Sequence, residues 1–142
     1  ISGVNGSIRL DSKVVVEGEI SVVNGRVSTG TGTRISKDVS NVNGELQISG
    51  STIGGDLTTV NGDVWLMDQT ELQGDLIVEM PSGWNSQGQR EPSIIIGAGC
   101  TVKGEIRLER KVKLYIHDTA IVTGVSGEMT LADAVRFSGD RP

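Results

Sequence analysis

The tripeptide Val-Asn-Gly recurs at Val4, Val23, Val42 and Val60, at spacings of 19, 19 and 18 residues. A unit this short cannot bury a core of its own, so each copy has to be one coil of a stacked solenoid. Alternation of apolar and variable residues within the unit supplies the strand period of two. Within the tripeptide, the valine is expected to pack inward or to open the turn, the asparagine to stack on its copies, and the glycine to turn the chain.

Aligning the coils on the glycine that precedes an acidic residue sets Gly18, Lys37, Gly55, Gly74, Gly104 and Gly124 in one column. Two residues before it lie Val16, Ile35, Ile53, Leu72, Val102 and Val122, and two after it Ile20, Val39, Leu57, Leu76, Ile106 and Ser126. Ser126 alone breaks the aliphatic rule. Across the coil run Ile8, Val27, Leu46, Val64, Ile94 and Leu114, followed two residues on by Leu10, Thr29, Ile48, Leu66, Ile96 and Ile116. Four inward columns over six coils result.

Asn-Gly is also the strongest short hairpin signal, which would give an antiparallel meander. Hairpins oppose unlike residues, whereas this chain repeats like residues at one position, as parallel in-register stacking demands. The expected fold is therefore an all-β, single-domain parallel β-helix of about six coils of ~19 residues, a rod about 29 Å long at ~4.8 Å per coil. Ile96 to Val102, followed by Leu108 and Leu114, imitates the sixfold phase of left-handed hexapeptide β-helices. The apolar pairs elsewhere break that phase and favour the right-handed form. Residues 1–129 form the solenoid, with a loop insertion at about 80–93, and residues 130–142 a C-terminal cap. Asn5, Asn24, Asn43 and Asn61 are expected to bond amide to amide across the strand spacing.

A net charge of −5 gives no attraction to nucleic acid, and no apolar run approaches the length of a membrane helix. The single cysteine allows neither an internal disulfide nor a cysteine zinc cluster. A start at Ile1 without methionine is expected of a processed piece, which leaves the compartment open.

The V-N-G-x-[IV]-x-[LI] strand alternating with [VIL]-x-G-[DE]-[ILV] resembles bactofilins and related adhesin-like bacterial β-solenoid domains of uncharacterised function. The likeness covers about residues 1–80 well and 94–126 more loosely. It implies a non-enzymatic, self-associating scaffold of the bacterial envelope or cytoskeleton, with the periplasm or cell envelope favoured over the cytoplasm. The expected partners are further copies of the chain, with a glycan or an envelope protein as alternatives, and no cofactor is expected.

Departures from the repeat mark the candidate sites. The stretch from Pro81 to Pro92 lengthens one coil to 30 residues and carries Trp84, as a polar, Gly- and Pro-rich projecting loop. It leads to a strand whose outward column reads Arg9, Ser28, Gln47, Trp65, Ile95 and Tyr115. Trp65, Trp84, Ile95 and Tyr115 form the candidate contact patch, either covered by the loop or used for a protein or glycan; the alternative function is a carbohydrate-binding or carbohydrate-active β-helix on this face. Glu19, Asp38, Asp56, Asp75 and Glu105 form an acidic column, where stacked like charges repel. It reads as a solvated turn, since no Asp-rich calcium turn is present and no metal site is expected. His117 and Cys100 read as a turn residue and a small interior residue, so no catalytic residue is assigned. Phe137, with Leu131, Ala134 and Val135, is expected to close the C-terminal end. Self-association is expected through the N-terminal end or the Trp65 face.

Overall fold

The computed structural model describes residues 2–79, 93–109, 112–127 and 134–137. Trp84, Leu131 and nearly all of the insertion lie outside the described residues. Twenty short strands and no helix make up the described chain, and they stack as a parallel β-solenoid of three sheets.

Each coil contributes one strand to each sheet in turn. The first sheet stacks β1 (Ser2–Asn5), β4 (Ile20–Asn24), β7 (Val39–Asn43), β10 (Leu57–Thr59), β13 (Leu76–Val78), β16 (Ile106–Leu108) and β19 (Val125–Gly127). The second stacks β2 (Ile8–Leu10), β5 (Val27–Thr29), β8 (Leu46–Ser49), β11 (Val64–Met67), β14 (Ser93–Ile96), β17 (Lys113–His117) and β20 (Val135–Phe137). The third stacks β3 (Val15–Val16), β6 (Arg34–Ile35), β9 (Thr52–Ile53), β12 (Glu71–Leu72), β15 (Thr101–Val102) and β18 (Ile121–Val122). In sequence, residues 80–92 come between β13 and β14, where the repeat carries the Val-Asn-Gly tripeptide in the coils before.

The four inward columns are in place: most of their members are buried in one continuous core, and Ile8, Leu10 and Val122 at the two ends are partly buried against it. One alignment differs from expectation. Ile106 pairs with Val125 rather than Ser126, and Ser126 stands beside the outward Arg107. Thr123 and Gly124 alone bridge Val122 to Val125 where earlier coils use three residues, so the aliphatic column continues unbroken. A fifth inward column runs through Val22, Asn41, Thr59, Val78 and Leu108, all buried. Asn41 and Thr59 hide it in the sequence because both look like outward residues; inside, Asn41 Nδ2 donates to the Gly25 carbonyl at 3.1 Å and Gly62 N donates to Thr59 Oγ1 at 3.3 Å. The two polar side chains thereby tie the sheet to the adjoining corner.

At that corner the asparagines ladder. Asn24 Nδ2 donates to Asn5 Oδ1 at 3.1 Å, Asn43 to Asn24 at 3.0 Å and Asn61 to Asn43 at 3.1 Å. The valines, by contrast, do not pack inward: Val4, Val23 and Val42 are exposed, forming an outward stripe beside the ladder. Alternation dictates this, because the inward position of the strand already belongs to Val22 and Asn41. The glycine is required by its neighbour as much as by its own conformation. Gly25 and Gly44 have φ of +151° and +138°, and a Cβ on either, or on Gly62, would lie inside the radius of the preceding glycine's carbonyl oxygen. Gly6 shares the conformation with φ of +137° but meets no such atom.

Comparing Gly6→Ala with Gly44→Ala separates the two causes. Gly6→Ala is expected to cost roughly 1–2 kcal/mol from backbone conformation, and Gly44→Ala at least about 2 kcal/mol more from the displaced coil. Urea denaturation midpoints measure both; equal losses would mean that corner-to-corner contact adds nothing.

Candidate functional site

The acidic column does not stack as bare charge. Asp38 Oδ1 accepts the Asp56 amide at 2.8 Å, Asp56 Oδ1 the Asp75 amide at 2.8 Å, and Asp75 Oδ1 the Glu105 amide at 2.9 Å. Each carboxylate thus bonds to the backbone of the next coil, which offsets the repulsion expected of stacked charges. Arg107 adds an ion pair to Asp75 at 3.6 Å. The glycine beside each acid now has a reason. A Cβ on Gly55, Gly74 or Gly104 would collide with Oδ1 of Asp38, Asp56 or Asp75 in the coil before. Where the preceding coil carries the longer glutamate, the glycine is missing: Lys37 follows Glu19, and after Glu105 the corner is one residue shorter. Glu105 turns instead to Ser126, whose hydroxyl donates to it at 3.1 Å.

The column of Thr33, Ser51, Thr70 and Cys100 is buried at the corner between the second and third sheets. Its hydroxyls are bonded internally: Thr33 Oγ1 donates to the Asp11 carbonyl at 2.9 Å, Ser51 Oγ to Ser49 at 2.7 Å and Thr70 Oγ1 to Met67 at 2.7 Å. Cys100 continues the column as a thiol, and burial pushes its pKa up, so the reactive thiolate is disfavoured. His117 ends β17, buried, where the Thr119 amide donates to Nδ1 at 3.0 Å and the Phe137 ring meets its ring edge-to-face at 5.1 Å. That nitrogen is committed to closing the turn. Phe137 is buried against this histidine, while Ala134 packs on the apolar core. Among the described residues no three His, Cys, Asp or Glu side chains converge as a metal site, and no helix is long and apolar enough to cross a membrane.

The outward column of the second sheet runs from one end of the rod to the other. Register pairs Arg9 with Ser28, Ser28 with Gln47, Gln47 with Trp65, Trp65 with Ile95, Ile95 with Tyr115 and Tyr115 with Val135. Trp65, Ile95 and Tyr115 therefore lie side by side, each half-buried, and Val135, exposed, extends the stripe by one rung. Val135, expected with Phe137 to close the C-terminal end, faces outward instead, because its register beside Tyr115 puts it on the outer face of the sheet. At the other end of the column, Arg9, Asp11, Arg26, Ser28 and Gln47 line a groove of about 710 Å³. Arg26 is paired with Glu45 at 3.5 Å. The face thus changes along the rod from a polar groove to an apolar, aromatic stripe.

Comparison with protein-family models, curated proteins and solved structures returns no match to this chain.

With its thiol buried and its pKa raised, Cys100 is expected to resist a thiol reagent such as DTNB at pH 8 and to react fully once urea unfolds the chain. Absorbance at 412 nm follows the reaction; fast labelling of the folded protein would contradict the packing described.

Proposed function

We propose that this chain is a non-enzymatic structural scaffold whose coils associate with coils of the same kind. The observation that carries the reading is the receiving surface of the first coil. At Gly25, Gly44 and Gly62 the coil before fills the place a Cβ would take, and at Gly55, Gly74 and Gly104 an aspartate of the coil before fills it. At Gly3, Gly6 and Gly18 the same place is open. Ile8, Leu10 and Val14 of this coil are only partly buried against the core. Such an edge, with its apolar cross-section, is a template for another strand-bearing coil. A second copy of the chain can supply one, as can further coils of the same protein ahead of Ile1. The resemblance of the repeat to bactofilins supports the same role, in the bacterial envelope or cytoskeleton.

A second reading is favoured by a different observation, the in-register Trp65–Ile95–Tyr115 stripe. Aromatic residues held on a rigid face suit the apolar faces of sugar rings, which makes carbohydrate binding the alternative use of the second sheet.

Self-association is tested by light scattering across a concentration series. The chain is expected to form oligomers that dissociate on dilution, and Gly18→Leu to remain monomeric with an unchanged thermal midpoint. Space around Gly18 is open, and the same column already holds Lys37. A monomer at every concentration, or oligomers that persist in Gly18→Leu, would overturn the proposal.

A further inference from the structure

The groove at the N-terminal end of the second sheet and the aromatic stripe are one continuous track. Gln47, which lines the groove, is the register neighbour of Trp65, which begins the stripe. From Trp65 back to Arg9 is three rungs, about 14 Å at the usual spacing of parallel strands. A linear polymer lying along the rod axis would therefore reach both ends with a few repeating units.

The two ends ask for different chemistry. Trp65 and Tyr115 offer flat apolar faces with polar edges, which suit a ring that has one C–H face and hydroxyls at its rim. The groove offers grouped donors and acceptors: the guanidinia of Arg9 and Arg26, the Gln47 amide, whose Nε2 also donates to Glu45, the Asp11 carboxylate and the Ser28 hydroxyl. Arg26 is held by Glu45, whereas Arg9 makes no ion pair among the described residues and projects from the outward column of a protein with net charge −5. A guanidinium so placed binds a carboxylate bidentately, with more geometric selectivity than a lysine would give.

We propose that this track binds an acidic oligosaccharide, a chain of linked sugar rings of which at least one carries a carboxylate. A ring stacks on Trp65, and the carboxylate of a unit farther along sits on Arg9, with Gln47 and Ser28 bonding hydroxyls between. The proposal rests on the carbohydrate reading of the second sheet and is independent of how coils associate.

Calorimetric titration of the full chain with a hexamer of galacturonic acid and with a neutral β-1,4-linked glucose hexamer tests it. The acidic hexamer is expected to bind about tenfold tighter, equivalent to about 1.4 kcal/mol, and to lose most of that advantage in 0.5 M salt. Arg9→Gln is expected to abolish the preference for the acidic hexamer; Trp65→Ser and, separately, Tyr115→Ser weaken both ligands, with thermal midpoints recorded to confirm folding. Equal affinity for the two hexamers, or a preference that survives Arg9→Gln, overturns the acidic assignment while leaving the carbohydrate reading in place. Binding of neither hexamer overturns both.

Discussion

Parallel stacking of identical positions is the constraint from which the rest of this molecule follows. Each coil lies on the coil before it with backbone hydrogen bonds between equivalent residues, so whatever occupies a column must tolerate a copy of itself at about 4.8 Å. Branched aliphatics meet that condition inside, and Val16, Ile35, Ile53, Leu72 and Val102 do so on one sheet. Corners are harder, because there the chain turns and side chains compete with backbone for the same space. Two solutions occur. Asparagine offers both a donor and an acceptor and so bonds to its own copy, as between Asn24 and Asn43. Aspartate has no donor and bonds instead to the amide of its successor, as Asp38 does to Asp56.

Both solutions need glycine next door, for different reasons. After asparagine, the glycine of one coil rests on the carbonyl of the glycine below, in a conformation that L-residues avoid. Before aspartate, the glycine leaves room for the carboxylate of the coil below, and it disappears where that acid is glutamate. The pairings V-N-G and G-D are therefore single devices read across coils. Between the corners, the outward positions are free of this constraint. That freedom lets the second sheet change from Arg9, Ser28 and Gln47 to Trp65, Ile95 and Tyr115 without disturbing the core.

The architecture was legible because the repeat states it twice, in period and in alternation. Asn5, Asn24, Asn43 and Asn61 could be placed as a ladder from spacing alone, and Trp65, Ile95 and Tyr115 as neighbours from the same register. What stayed hidden had physical causes. Asn41 and Thr59 sit in the core but reach corner backbone through Asn41 Nδ2 and Thr59 Oγ1, so hydropathy assigns them to the surface. The exposed valines make the opposite error, since an apolar residue on the outer face of a strand reads as core. A one-residue shortening after Val122 shifted Ser126 into the place of Val125. The acidic column looked like repulsion because a sequence shows the charges and not the amides that receive them.

The central claim is that carboxylates of one coil hold the backbone of the next. Hydrogen exchange at the amides of Asp56, Asp75 and Glu105, followed by nuclear magnetic resonance, tests it most directly. If the ladder holds, these three amides exchange slowly with solvent at neutral pH, and Asp56→Ala speeds exchange at Asp75 while Glu105 stays protected. Exchange as fast as in an open loop in the unaltered chain, or no change at Asp75 in Asp56→Ala, would contradict the account.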